Sequence, residues 1–205
     1  MSKEPSQEFS LQLLRSGDRT EIARLVDEHS LKIYRLALKM LANPQDAEDA
    51  LQNTFLKAIK ALPTFEGRSS LSTWLYRIAV NEALMIIRKE KPEVEIDLHS
   101  NDDNDETSGL RQFTDWCCLP EWELVSTEAK IHFDKAIQQL SEKLRVVFIL
   151  RDIEGLSIHE TSKALELTET TVKTRLLRAR LKLRELLSEY YEERMFMEKS
   201  DEKNS

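Results

Sequence analysis

The chain has 205 residues, of which 40% are hydrophobic and 33% charged, and its formal net charge is −7 at pH 7. No run of about 18 apolar residues occurs and the N-terminus lacks a signal-peptide core, which excludes a membrane-spanning protein and predicts a cytoplasmic one. Only 4 glycines and 5 prolines are present, and strand-type alternation is nearly absent. The sequence therefore predicts an all-α fold, with enough residues for one large or two small domains.

The charge is distributed unevenly along the chain. Residues 92–128 contain eleven acidic residues and one basic residue. Residues 53–91 contain seven basic and three acidic residues, and residues 140–184 contain ten and six. Two basic segments joined by an acidic connector are typical of a protein with two surfaces that face a polyanion.

The N-terminal segment reads as a series of amphipathic helices. Asp18 and Glu21 have the spacing of a capping box, and Pro44 ends a preceding helix. Capping residues and prolines together set the bounds of four predicted helices: residues 18–29, 30–41, 45–62 and 71–89. We expect residues 8–91 to form one small helical domain.

Two segments are predicted to lie outside the domains: a flexible acidic linker at residues 92–126 and a polar tail at residues 191–205. Within the linker, the stretch FTDWCCLPEWEL at residues 113–124 is rich in aromatic residues, and we expect it to pack as a small cluster on a neighbouring domain. Cys117 and Cys118 are adjacent, so they cannot join distant segments. Reduced thiols are the default prediction, and a redox-sensitive or soft-metal pair is the alternative.

The second predicted domain, residues 127–190, ends in a helix-turn-helix pattern. Two amphipathic helices come first, the second beginning at the capping residue Ser141 and ending at Gly155: residues 126–140 and 141–155. Ser157 and Glu160 then have capping-box spacing at the start of a short helix. A turn follows that contains Glu166 where glycine is common, and Thr168 is the predicted N-cap of a longer helix.

That longer helix carries the stretch TTVKTRLLRARLKLR at residues 170–184, with six basic residues and no acidic one. At about 100° per residue, its apolar side chains form one core face: Val172, Leu176, Ala179 and Leu183. Cations lie on both flanks, where they would meet phosphates: Lys173, Arg180 and Arg184 on one side, Arg175 and Lys182 on the other. Outward side chains near the helix start would meet base edges: Thr174, Leu177 and Arg178. A solvated basic helix and an amphipathic membrane helix are the alternatives.

The first domain mixes aromatic and basic residues between positions 65 and 89, a composition that suits unpaired bases stacked on aromatic rings. Trp74, Arg77 and Asn81 share one helix face. The alternative is that these apolar positions belong to the core, and for Trp74 the composition leaves both interpretations open.

The motifs in these two segments resemble a known family. Residues 46–89, which begin DAEDALQNTFLKAI, resemble region 2 of bacterial sigma-70 factors, and residues 140–184, which begin LSEKLRVVFILRDIEGLS, resemble region 4. The order and spacing are those of the short extracytoplasmic-function group. One departure is HETSKAL, where Thr161 and Ser162 replace an aliphatic residue and alanine and make the first helix of the pair more polar.

The resemblance implies a transcription initiation factor with the following residue roles. Four residues would lie on the helix that docks the β′ coiled coil of core RNA polymerase: Asp46, Asp49, Gln52 and Phe55. A loop would capture a flipped base of the −10 element: Phe65, Arg68, Ser69, Ser70 and Leu71. Three residues would help to melt that element and hold its single strand: Trp74, Arg77 and Asn81. Five would read the −35 element in the major groove: Lys173, Thr174, Arg175, Leu177 and Arg178.

The resemblance further implies contact with the β flap of polymerase, an anti-sigma partner and a set of stress-response promoters. Two rival functions are an autonomous helix-turn-helix regulator and a helical interaction protein without a DNA role. An enzyme is not expected, because the four histidines lack metal-ligand spacing and no phosphate-binding or nucleophile motif occurs. No cofactor, metal site or catalytic residue is predicted.

Overall fold

A computed structural model describes residues 9–90, residue 98 and residues 127–201, with side chains for residues 9–89, 98 and 129–188. The described residues form eight α-helices and no strand, which confirms the all-α prediction. None of these helices is both long and apolar enough to cross a bilayer. In chain order they are α1 Leu11–Ser16, α2 Arg19–Leu41, α3 Pro44–Ala61, α4 Leu71–Glu90, α5 Thr127–Gln139, α6 Glu142–Phe148, α7 Ile158–Leu165 and α8 Glu169–Asp201.

Helix α2 is continuous, whereas the sequence predicted two helices that meet at Ser30. The prediction of a break was wrong because Ser30 carries no constraint against helical backbone, unlike proline. Asp18 caps α2 as predicted, accepting a hydrogen bond from the backbone N–H of Glu21 at 2.9 Å. The carboxylate of Glu21 does not complete a capping box, since it accepts a 2.7 Å bond from the backbone N–H of Ser10 instead.

The predicted helix from Ser141 to Gly155 is also more complex. It begins as α6, with Ser141 at the N-cap position but without a capping bond from its side chain. The helix then widens into a π-helical turn, Ile149–Ile153, before Gly155 takes a left-handed conformation with φ +74°. Such turns contain one additional residue and change the direction of the side chains that follow.

The structure describes most of the predicted tail but only one residue of the predicted linker. Helix α8 continues to Asp201, so the segment predicted as a polar tail from residue 191 is largely helical. Leu98, within the predicted flexible linker, is only 8% exposed and belongs to the hydrophobic core. The predicted cluster at residues 113–124 lies outside the described residues, with Cys117 and Cys118.

The two predicted domains pack against each other. Helices α1–α4 form the N-terminal domain and α5–α8 the C-terminal domain, and most of their buried apolar side chains belong to one cluster that spans both domains. Polar bonds also cross this domain boundary. Gln138 donates from its side-chain amide to the carbonyl of Lys39 at 2.6 Å, and the ammonium of Lys39 pairs with Asp134 at 2.5 Å.

Arg145 of α6 forms a buried polar link across the domain boundary. Its Nη1 donates to the carbonyl of Met40 near the end of α2 at 2.9 Å. Its Nη2 donates to the carbonyls of Gln138 and Leu140 at the end of α5, at 2.6 and 2.9 Å. Burial lowers the pKa of this guanidinium, with Glu142 opposing that effect. Carbonyls at helix ends lack partners within the helix and carry partial negative charge, so one cation satisfies two helix ends at once.

We predict that Arg145→Gln lowers the free energy of unfolding by about 3 kcal/mol, because three buried carbonyls lose a charged donor. Urea unfolding monitored by circular dichroism would measure the loss. Arg19→Gln, at an exposed position at the start of α2, is the control and should change stability by less than about 0.5 kcal/mol. Equal stabilities of the two variants would contradict the role given to Arg145.

Candidate nucleic-acid interface

The helix-turn-helix is built by local hydrogen bonds that the sequence predicted. The Ser157 hydroxyl accepts from the N–H of Glu160 at 3.1 Å, and the Glu160 carboxylate accepts from the N–H of Ser157 at 2.8 Å. Hydrogen bonds from the side chain and the backbone N–H of Ser157 lower the pKa of the Glu160 carboxyl. At the start of α8, Thr168 Oγ1 accepts from the N–H of Thr171 at 3.1 Å, as expected of an N-cap. Both helices of the pair therefore begin where predicted.

The turn between α7 and α8 is set by Glu166, which has the left-handed backbone angles φ 55° and ψ 35°. Its N–H and that of Leu167 both donate to the carbonyl of Ser162. Left-handed backbone favours glycine because a side chain crowds the carbonyl, so Glu166 holds a conformation with a steric cost. The side-chain carboxylate of Glu166 forms an ion pair with Arg77 of α4 at 2.5 Å.

Polar residues in α7 have unequal environments. Thr161 is fully buried, and its hydroxyl has no hydrogen-bond partner among the described atoms. Ser162 is also buried, but its hydroxyl donates to the carbonyl of His159 at 2.8 Å. Of these two polar residues, only Thr161 therefore lowers the stability of the helix, because its buried hydroxyl forms no hydrogen bond with the described atoms.

The predicted core face of α8 is confirmed, since all four of its members are buried: Val172, Leu176, Ala179 and Leu183. The predicted reading residues lie outside that face. Lys173 is exposed, while Thr174, Leu177 and Arg178 are half-buried near the helix start. This arrangement presents a basic and mixed-polarity surface next to the turn.

One predicted flank position of α8 is wrong, and a second is engaged in an ion pair. Arg175 is only 1% exposed, so its side chain lies in the protein interior rather than on a flank facing phosphates. The reason is that α8 packs against α5, α6 and α7, which buries a wider arc than the single apolar stripe predicts. Arg180 is half-buried, and its guanidinium donates twice to Asp152, at 2.8 Å in each bond.

The predicted base-capturing loop lies between a 3₁₀ turn, Leu62–Thr64, and the start of α4. The ring of Phe65 is 8% exposed and lies 4.7 Å from the ring of Trp74, at an interplanar angle of 39°. Ser70 directly precedes α4, and its hydroxyl accepts from the N–H of Thr73 at 3.1 Å. Arg68 is exposed, with 86% of its side chain accessible. Ser69 and Leu71 are half-buried.

The predicted single-strand face of α4 is partly accessible. Trp74 is half-buried, which answers the question that composition left open: its ring packs on the core with one part exposed. Arg77 and Asn81 are exposed on the same side of α4. Because Arg77 pairs with Glu166, the predicted single-strand face of α4 contacts the turn that precedes α8.

A further contact at the domain boundary was not predicted by any sequence pattern. The hydroxyl of Tyr76 donates to Glu154 at 2.8 Å, 78 residues further along the chain. Burial and this hydrogen bond raise the pKa of Tyr76 well above its usual range, and burial also raises the pKa of Glu154. Glu154 follows the π-helical turn, and no periodic pattern in the sequence indicates which way its side chain faces.

On α3, the four residues predicted to dock polymerase do not share one environment. Asp49 and Gln52 are exposed and Asp46 is half-buried, but Phe55 is 8% exposed and lies in the core. The prediction for Phe55 as a surface contact was wrong. Leu56, which follows Asp49 by two helical turns, is 57% exposed on the accessible side. Counting that spacing in the sequence would have selected Leu56.

The chain is similar to known proteins over both of its domains. The sigma-70 region 2 family model matches residues 25–93, and the sigma-70 region 4 model matches residues 132–183. The extracytoplasmic-function (ECF) RNA polymerase sigma factor SigW of Bacillus subtilis is 36% identical over 177 residues, covering 85% of this chain and 92% of the relative. The ECF RNA polymerase sigma-E factor of Escherichia coli is 30% identical over 183 residues, covering 88% and 93%.

Solved structures agree on the fold. CnrH, in complex with the cytosolic domain of CnrY, superposes with a TM-score of 0.61 at 23% identity, covering 87% of this chain and 94% of CnrH. The sigma factor RpoE from Bartonella quintana, in complex with the anti-sigma factor NepR, has a TM-score of 0.60 at 24% identity, with 82% and 98% covered. The two-domain helical architecture is therefore shared with these proteins.

We predict that Glu166→Gly leaves the protein about 1 kcal/mol more stable than Glu166→Ala, because only glycine relieves the left-handed backbone while both lose the ion pair. Urea unfolding of the two variants measures this difference. Ala42 has a similar angle, φ 57°, and Ala42→Gly is the matched control, with a gain of similar size. Identical stabilities of the two Glu166 variants would show that the turn is not strained.

Proposed function

This chain belongs to the extracytoplasmic-function group of the sigma-70 family, and we propose that it directs polymerase by reading a −35 element with α8 and opening a −10 element with α4. Members of the group are promoter-specific transcription initiation factors and not enzymes, so the chemistry is that of RNA polymerase. The observation that carries the proposal is the accessible edge of α8, where Lys173, Thr174 and Arg178 lie beside a capped turn and opposite a buried stripe.

For the −35 element, the helix start provides both kinds of contact that duplex recognition needs. Lys173 would contact phosphate and contribute salt-dependent affinity that is blind to sequence. Arg178 would donate to a guanine, Thr174 to either base type, and Leu177 would contact a thymine methyl group. Arg175 is left out of this set because it is buried.

For the −10 element, the loop at residues 65–70 and α4 would receive an extruded base and hold the strand. Phe65 is buried against Trp74, so we propose that it forms a wall of the pocket rather than a free stacking surface. Trp74 retains an accessible part, and Arg77 and Asn81 would hold the backbone of the opened strand.

Polymerase would be contacted from both domains. Asp46, Asp49 and Gln52 on α3 would dock the β′ coiled coil, with Leu56 adding an apolar contact, and the C-terminal domain would touch the β flap. We propose that an anti-sigma factor restrains the protein, as NepR binds the RpoE of the solved complex. The protein would act in the cytoplasm, where its polymerase lies, on stress-response promoters.

The proposal requires the two domains to separate on a promoter. The −35 and −10 elements are about 25 base pairs apart, ~85 Å of duplex at about 3.4 Å per base pair. In the structure Arg77, which is assigned to the −10 element, forms an ion pair with Glu166. Glu166 lies in the turn before α8, the helix assigned to the −35 element. The domain boundary would therefore open when both elements are bound.

We predict that Arg178→Ala lowers run-off transcription by core polymerase about 10- to 100-fold, since one bidentate base contact contributes about 1–3 kcal/mol. Promoters would first be selected from a randomised library with the wild-type protein. Lys135→Ala, at an exposed position on α5, is the charge-matched control and should retain full activity. An undiminished transcript from Arg178→Ala, or sequence-specific duplex binding without polymerase, would favour the rival functions.

Separation of the domains can be measured as the distance between two spin labels, one on each domain. We predict that spin labels at Asp27→Cys and Gln139→Cys, in a background with Cys117→Ser and Cys118→Ser, give a short distance in the free protein. The short-distance population should disappear when core polymerase and a promoter carrying both elements are added. Core polymerase with DNA lacking those elements is the comparison that identifies the step at which separation occurs. A short distance that persists in the promoter complex would contradict the proposed opening.

A further inference from the structure

The N-terminal helix α1 contacts the loop at residues 65–70 in two places. Arg15, in the last turn of α1, donates from Nε and Nη2 to the carbonyl of Phe65, at 2.9 and 2.6 Å. Leu11, at the other end of α1, comes within 3.4 Å of the position that a Cβ on Gly67 would occupy. Gly67 has φ +76°, a conformation in which glycine is favoured, so the loop passes close to α1 where it has no side chain.

Helix α1 is itself held firmly. Leu14 is 1% exposed and lies in the hydrophobic core of the N-terminal domain. Ser10 caps the start of the helix, and its own N–H donates to Glu21 of α2 at 2.7 Å. Gly17 ends the helix in a left-handed conformation. A short helix that would be unstable alone is thus fixed at both ends and along one face.

From this geometry we propose that Arg15 is a positioning residue for −10 recognition, which holds the loop at residues 65–70 in the shape that accepts one base. The inference rests on the proposed function of that loop. Arg15 precedes the segment matched by the region 2 model, which begins at residue 25. Discrimination at the −10 element would then depend on α1 as well as on the residues that touch DNA.

The physical reason is preorganisation. A loop that contains glycine between two polar residues has many accessible conformations, and ordering it during binding costs free energy. Two charged hydrogen bonds to one carbonyl fix the backbone at Phe65, the residue whose ring also packs on Trp74. A fixed pocket rejects the wrong base because its groups cannot move to accommodate it, whereas a mobile loop adapts to several bases.

The test compares discrimination rather than affinity alone. Holoenzyme made with wild-type protein or Arg15→Gln would be titrated with labelled single-stranded oligonucleotides. One carries the −10 sequence that the wild type selects from a randomised pool, and others carry one replaced base at each position. We expect Arg15→Gln to reduce the preference for the selected base at one position about tenfold, and Arg15→Lys, which keeps a charged donor, to restore part of it. Arg19→Gln, at an exposed position at the start of α2, should behave as the wild type.

The outcomes separate this inference from the function on which it rests. If Arg15→Gln weakens binding of every oligonucleotide by the same factor, or leaves the preference unchanged, Arg15 is only a structural anchor and the inference is wrong. If the wild-type holoenzyme shows no preference at any position, the proposed −10 function fails and the inference fails with it. Urea unfolding of each variant, measured in parallel, identifies any loss that comes from unfolding alone.

Discussion

The arrangement of the two domains depends on how carbonyl groups at two helix ends are satisfied. The last carbonyls of an α-helix have no partner within it, and burying them without a donor is costly. Where α2 meets α5, Arg145 and Gln138 supply those donors, reaching the carbonyls of Met40 and Lys39 from the other domain. With these ends joined, α4 lies against the C-terminal domain, and Tyr76 reaches Glu154.

The domain boundary combines a few buried bonds with exposed ion pairs, and this mixture suits a joint that opens. The side chains of Arg77 and Glu166 are 46% and 55% exposed, and ion pairs in such positions contribute at most about 1 kcal/mol. Breaking them costs little, since water replaces each partner. Arg145 would keep its two bonds within the C-terminal domain after separation, so opening would not leave that guanidinium without acceptors.

Local patterns predicted the local features well. The buried stripe of α8 and the capping box of α7 follow from helical period and hydrogen-bonding chemistry, which are encoded within a few residues. The contacts of Arg145 and Tyr76 join residues far apart in the chain, and nothing in a short window indicates them. Arg175 lies at the border of the apolar stripe, where the number of neighbouring helices decides whether a side chain is buried.

Leu98 has a consequence for how far the domains can move apart. If its side chain stays packed on the N-terminal domain when the domains separate, the tether between them is the chain from residue 99 to residue 126, because α5 begins at Thr127. Those 28 residues have a contour length of roughly 95 Å when fully drawn out. That length is only slightly greater than the ~85 Å between the two promoter elements. Release of Leu98 from the core would lengthen the tether by eight residues, and the domains could then reach elements that lie further apart.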